Sequence, residues 1–295
     1  MTRGEVKGGL SKLALAVDKL PRPLAVCFEA SCGYGTLHER LSALAKRVVV
    51  AHPGQLRLIF RAKRKNDRLD AEKRAKLLFL DQVPQVHVPT VDIRQWRSLI
   101  EFRGRWIDRR TAVKNQIRAV LRGAGVPAVK GLWRRPGRAW LRTQELPLAE
   151  SLRIEMLVDE LEQLNQRVRH VERELRRYAN RHPAVTLLRT IPGVGLLTSS
   201  AFVAYVDDIR RFARVDQVAA YFGLVPCQDA SGGINRLGHI TKDGPATARK
   251  STIFHHWPAP VIRGKLMDAT AERWPPNRRR YRAIEFVSCP RANPL

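Results

Sequence analysis

The sequence has 295 residues, enough for two domains or one large one with a sizeable core, and 44% of them are hydrophobic, which excludes a disordered polymer. No apolar run approaches the ~20 residues needed to cross a bilayer, the first twenty residues carry charges throughout, and the four cysteines (Cys27, Cys32, Cys227, Cys289) are too sparse for a secreted disulfide framework, so a cytoplasmic chain with reduced thiols is expected. Lysine and arginine number 54 against 27 acids, a formal net charge of +27, which makes nucleic acid the leading partner and a ribosome-like structural role an alternative. An anionic membrane surface fits less well, because no segment joins a basic face to a broad Trp/Leu-rich one.

In chain order, Leu10, Leu13, Val17 and Leu20 recur at helical spacing. Leu24 to Phe28 reads as a buried strand ending at Glu29, and 30–35 as a turn. Thr36 to Lys46 reads as a helix with Leu37, Leu41 and Leu44 on one face, and Arg47 to Ala51 as a second buried strand stopped by Pro53. Strand, helix, strand at this spacing is a βαβ unit and predicts a parallel or mixed sheet. A helix is expected from Asn66 or Asp67 to Leu80, then a short third strand at Val86 to Val88. A long helix follows from Val91 to Arg122, with Leu99, Trp106, Val113 and Val120 seven apart. In the next one, over 149–181, Leu157, Leu161, Leu164, Val168, Val171, Leu175 and Tyr178 alternate spacings of four and three, a heptad seam. The seam can close as an antiparallel hairpin with the preceding helix or pair with another subunit. Residues 183–256 are expected to form a second, mainly helical unit, and the Pro- and Arg-rich 257–295 an irregular basic tail.

Three groups of residues carry candidate chemistry. Glu29 ends a predicted central strand, where open α/β sheets place ligand-binding residues. Asp67 and Asp70 are three apart at the start of a helix and project from one face. Carboxylates so placed suit a hard divalent cation, which takes a few of them plus substrate phosphate, and Arg61, Lys63, Arg64 and Lys65 would hold a nucleic-acid backbone beside it. The same two aspartates also suit the capping of an ordinary basic helix. Second, Thr190-Ile191-Pro192-Gly193-Val194-Gly195 ahead of an apolar helix resembles a helix-hairpin-helix motif, in which Gly193 and Gly195 let backbone N–H groups approach a phosphate; an ordinary helix–helix turn would look similar. Third, Ser231 precedes Gly232-Gly233, eleven residues ahead of Lys242. An open hydroxyl of this kind is a nucleophile when activated, and Ser-Gly-Gly is also ordinary linker sequence. Cys27 and Cys32 lack a second pair at zinc spacing, and His239, His255 and His256 lack a triad carboxylate.

Taken in order, Val26 to Ala30 with Gly33-Tyr34-Gly35, Lys65 to Ala71, Thr190 to Gly195, Ala220 to Pro226, Ser231 to Gly233 and Gly238 to Gly244 with Arg249 resemble one family over roughly residues 10–252. It is the bacterial insertion-sequence transposases of the RuvC-like DEDD plus serine type, the insertion-sequence one-hundred-ten family of bridge-RNA-guided recombinases. The resemblance implies an α/β RuvC-like, ribonuclease-H-like domain (1–90), a coiled-coil region of long helices (91–182), a serine-bearing domain with a helix-hairpin-helix motif (183–256) and an irregular tail (257–295). It implies Mg²⁺ held by Glu29, Asp67 and Asp70, Ser231 as nucleophile, and nucleic-acid contacts from Arg61, Lys63, Arg64, Lys65, Gly193, Gly195, Lys242 and Arg249. DNA, a guide (bridge) RNA and further copies of the chain, as dimer or tetramer, are the implied partners, in the bacterial cytoplasm at the nucleoid. The family's first acid, an Asp on a preceding strand, has no counterpart here, and the tail departs from the family. A truncated, impaired copy is therefore expected. The rival readings are a non-catalytic DNA- or RNA-binding protein derived from a transposase, and a Holliday-junction-type nuclease, which would have no use for Ser231.

Overall fold

A computed structural model describes residues 4–60, 67–127, 129–231 and 234–252, with the side chains of residues 67, 68, 234, 235, 251 and 252 left out. The expected tail and the basic cluster Arg61, Lys63, Arg64 and Lys65 fall outside the described residues.

The N-terminal region is mixed α/β. Helix α1 (Leu10–Asp18) leads to strand β1 (Ala25–Glu29), helix α2 (Tyr34–Ser42) and strand β2 (Arg47–Ala51). The two strands pair in parallel with Ala25 opposite Arg47 and Glu29 opposite Ala51, as the βαβ reading requires. Helix α2 starts two residues earlier than expected because Gly33, at φ +77°, takes the left-handed conformation at its N-cap. Pro53 does more than stop β2. It occupies the first turn of a further helix, α3 (Pro53–Ile59), where its missing N–H costs nothing, and His52 caps that helix by accepting the Gln55 N–H at 3.2 Å. Helix α4 (Asp67–Phe79) then packs on β1.

The expected third strand at Val86 to Val88 is replaced by one antiparallel bridge, Ala51 to Gln85, with the Val86 N–H on the Val50 carbonyl at 2.8 Å. Pro84 and Pro89 bracket this stretch and remove the donors a longer ladder would need. Val49, Ala51, Leu56 and Val83 form the core of the region.

Two 33-residue helices dominate the middle of the chain, α5 (Val91–Gly123) and α7 (Leu148–Asn180), with the short α6 (Arg135–Leu141) between them. They close on each other as an antiparallel hairpin, the intramolecular one of the two pairings the seam allowed. The α7 seam is buried at Leu161, Leu164, Val168, Val171 and Leu175, joined by Ile154 and Ala179. On α5 the expected heptad drifts. Ile93, Trp96, Ile100, Val113, Ile117, Val120 and Leu121 are buried, whereas Leu99 and Trp106 are half-buried.

The drift follows from two separate cores, one where α8 and α9 cap the hairpin and one under α6. Between them polar pairs cross the interface, Arg103 to Glu172 at 2.7 Å and Arg109 to Glu160 at 2.8 Å, while Arg110 donates to Asn165 at 3.3 Å. A straight α-helix does not keep a seven-residue repeat on one face indefinitely, and here the face changes partner halfway along.

The C-terminal region is mainly helical: α8 (Pro183–Leu188), α9 (Leu196–Val206), a 3-10 turn at Ile209–Arg211, α10 (Val215–Tyr221) and α11 (Ala246–Thr252). Tyr205, Val206, Phe212, Val218, Phe222 and Ala248 make its core. The mainly helical expectation for 183–256 holds, with an antiparallel ribbon it did not include, β3 (Pro226–Ser231) and β4 (Ile234–Ile240). All six β3 residues are exposed, and Pro-Cys-Gln-Asp-Ala-Ser has no apolar alternation to announce a strand.

Candidate active site and nucleic-acid interface

Glu29 is the last residue of β1, so the parallel pairing carries its carboxylate to the carboxyl edge of the sheet. Helix α4 opens at Asp67 and packs on β1, with Asp70 in its first turn. Arg74, one turn on from Asp70, ties the two elements together: its Nε donates to the Asp70 carbonyl at 3.0 Å and its Nη1 lies 3.7 Å from Glu29 Oε2. The Glu29 side chain keeps 46% of its surface exposed, so the carboxylate is open to a ligand as well as to the arginine. Beneath it burial pushes the Cys27 thiol up, against the opposing pull of the Arg74 guanidinium.

Glu29 and Asp70 supply hard oxygen donors, the set Mg²⁺ or Mn²⁺ takes alongside water and phosphate. Among the described residues no cluster of three metal-ligating side chains forms. Asp67 starts α4, but its side chain is outside the description. Sequence reasoning missed Arg74. The signal was its i+4 spacing from Asp70, which puts it on the face that meets β1.

The N-terminal region is fastened to the long helices through a second arginine. Arg94 on α5 pairs with Glu39 and donates to the Pro89 carbonyl at 2.7 Å. It passes over Gly35, where a Cβ would fall 2.5 Å from Arg94 Nε, so the glycine of Gly33-Tyr34-Gly35 makes room for the clasp.

Ser231 ends β3 opposite Ile234, with Gly232 and Gly233 next in sequence. It is exposed at the tip of the ribbon. Lys242 is at the other end, beyond the Pro226–Ile240 pair, where its N–H donates to the Gly223 carbonyl at 3.2 Å. Five residues of strand separate the two ends, about 17 Å at ~3.3 Å per residue. The eleven-residue spacing therefore reflects one ribbon, and the structure does not bring the Ser231 hydroxyl and Lys242 ammonium together.

The base of that ribbon is held by two interlocked glycine turns. Gly223 (φ +65°) and Gly244 (φ +75°) pack so closely that a Cβ would meet Asp243 O at 2.2 Å and Tyr221 O at 2.0 Å respectively. Arg249 clamps the same turns, donating to Asp243 O at 2.9 Å and Phe222 O at 3.3 Å. Its half-buried guanidinium thus positions the ribbon.

Helices α8 and α9 form the expected pair around Pro192-Gly193-Val194-Gly195, closed by Leu188, Ile191 and Val194. Gly193 has φ +84°, Gly195 caps α9, and a Cβ at either would meet nothing within 4 Å. The glycines leave the N-terminus of α9 open rather than filling a tight internal contact, as a backbone phosphate site requires.

Two regions of the chain each match a transposase model. Residues 4–125 match a DEDD-type model described as a transposase, and residues 185–267 match the model of the IS116/IS110/IS902 transposase family. The chain is similar to that family in two regions, a DEDD-type stretch that runs through the first long helix and a C-terminal stretch that begins after the second.

Among its relatives, a probable family 20 transposase of Pseudomonas aeruginosa is 30% identical over 68% of this chain and 60% of the relative. The transposase for insertion sequence element IS1111A of Coxiella burnetii is 32% identical over 68% of this chain and 55% of the relative. That for IS1328 of Yersinia enterocolitica is 26% identical over 78% and 69%. The chain thus spans well under two thirds of the length of the first two. No described helix is long and apolar enough to cross a membrane.

Proposed function

We propose that the chain carries the strand-exchange chemistry of its family, with Ser231 as nucleophile on DNA. The observation that supports the reading is Arg74 of α4, one turn on from Asp70, lying 3.7 Å from the Glu29 carboxylate, which ties the helix that bears Asp67 and Asp70 to the strand that ends at Glu29. Glu29, Asp70 and Asp67 would hold Mg²⁺, which supplies charge stabilisation at the scissile phosphate. The Ser231 Oγ attacks phosphorus, gives its proton to solvent, and forms a phosphoserine ester as the sugar oxygen of the DNA strand leaves. A strand hydroxyl reverses the step in the new arrangement, so no high-energy cofactor is consumed. The N-terminal region is read as RuvC-like, and α8, its turn and α9 as a helix-hairpin-helix whose Gly193 and Gly195 N–H groups hold the backbone. Lys242, Arg61, Lys63, Arg64 and Lys65 add phosphate contacts, a guide RNA shares the basic surface, and the working form is a dimer or tetramer.

Exposure of Ser231 at the end of a projecting ribbon favours this reading over a junction nuclease, which would leave an open serine there without a task. Iron-directed cleavage tests the metal edge. Fe²⁺ with ascorbate and peroxide should cut the chain beside Glu29 and at the start of α4, and excess Mg²⁺ should suppress the cuts. Cleavage that persists in Glu29→Gln/Asp70→Asn would remove these residues from the metal site.

A further inference from the structure

The strand-exchange chemistry leaves unused a cavity of about 390 Å³ on the flank of the helical hairpin, lined by Lys114 from α5, Trp133 and Arg138 from the α6 region, and Glu162, Asn165 and Arg169 from α7. Its charge is one-sided. Glu162 is the acid of the lining, and Arg138 already engages it at 3.4 Å. Lys114 and Arg169 face the same space with no carboxylate of the lining left for them.

On α5, Arg110, Lys114 and Arg118 follow at intervals of four, so three cations stack on one helix face. Trp133 holds two of them. The Lys114 Nζ and the Arg118 guanidinium each lie 5.2 Å from its ring centroid. Arg110 donates to Asn165 Oδ1, and its buried Nε has no partner among the described residues. Burial, with Arg110 and Arg118 alongside, pushes the Lys114 ammonium below the usual lysine range. Like charges held together by packing and left without an acid are an anion site: the planar arginine forks suit two phosphate oxygens at once, and the lysine supplies a point charge.

We propose that this cavity is a phosphodiester-binding subsite that grips a nucleic-acid strand along the flank of the hairpin, away from the ribbon that carries Ser231. The proposal rests on the nucleic-acid function above and adds the place on the hairpin where the backbone is held. DNA and RNA share the phosphodiester, so the test has an arm for each.

The full chain is titrated with duplex DNA, single-stranded DNA and single-stranded RNA of equal length over a range of salt. Lys114→Gln/Arg169→Gln removes two phosphate contacts and should flatten the log–log salt slope by about 1.8 on duplex DNA and about 1.4 on a single strand. Arg122→Gln/Arg176→Gln removes the same charge from exposed positions of the two helices outside the cavity and should leave the slope nearly unchanged. The arm that loses slope names the strand. Equal flattening by both double variants, or by neither, overturns the subsite while leaving nucleic-acid binding intact; a wild-type chain that binds none of the three strands overturns both readings. A measurement on the unmutated chain guards against misfolded variants: bound strand should protect Lys114 from acylation at least severalfold, and no protection at saturation would also overturn the proposal.

Discussion

Replacing Leu164 with alanine probes the hairpin that spaces the two ends of the chain. Leu164 is 1% exposed, in the core that α5, α6 and α7 share with Val113, Ile117 and Leu161. Truncation deletes three carbon groups, about 2.4 kcal/mol at ~0.8 kcal/mol each. The cavity left between two long helices, which collapse poorly because each is fixed along its length, raises the cost to about 3 kcal/mol. For a chain of this size that lowers the melting temperature by roughly 6–12 °C.

Met156 lies on the same helix but is 65% exposed, and Met156→Ala should change stability by less than about 0.5 kcal/mol. Urea unfolding followed by far-ultraviolet circular dichroism compares the two. The aspartate pair Leu164→Asp/Val168→Asp desolvates two charges in the same seam and should cost several kcal/mol, enough to separate the helices. A Leu164→Ala loss below about 1 kcal/mol, or one equal to that of Met156→Ala, would refute the intramolecular seam.

Three further outcomes follow from particular contacts. Gly244→Ala places a Cβ against the Tyr221 carbonyl at a left-handed φ, should cost about 1–3 kcal/mol, and should speed proteolytic cutting within 226–240, since the turn anchors the ribbon. Gly195→Ala meets open space and should cost about 1 kcal/mol or less, yet weaken DNA binding; full affinity in that variant would remove the α9 N-terminus from the interface. Because the Lys114 pKa is lowered, more of its amine is neutral on the alkaline side of pH 7 than at an ordinary lysine. Mass spectrometry after brief acylation should find it labelled faster than Lys7 or Lys12 in the free protein, and slower labelling would contradict the charge crowding at Trp133.

The sequence made some of this architecture legible and hid the rest for physical reasons. The βαβ unit and the α7 seam could be read because apolar residues recur at strand and helix periods over many residues. The α5 seam misled because half of that helix serves a different core, and periodicity cannot report a change of partner. The ribbon was silent because both faces of β3 are exposed, so selection for burial left no alternation in Pro226 to Ser231. At the acid edge Glu29 stood out as a charge ending an apolar strand, but Arg74 was one arginine among many until α4 was laid on β1. The eleven residues from Ser231 to Lys242 are one hairpin of matched strands, which keeps the two at opposite ends.

The most direct measurement of the central claim is a search for a covalent protein–DNA adduct that survives denaturation. It is made with insertion-sequence end DNA and Mg²⁺. The account predicts an adduct in the unmutated protein and none after Ser231→Ala or Asp70→Ala, while both variants still bind DNA through their Lys/Arg charge. An adduct that persists in Ser231→Ala would move the nucleophile to another hydroxyl, with Ser251 next to test, and an unmutated protein that binds DNA but never forms an adduct would contradict serine-mediated strand exchange.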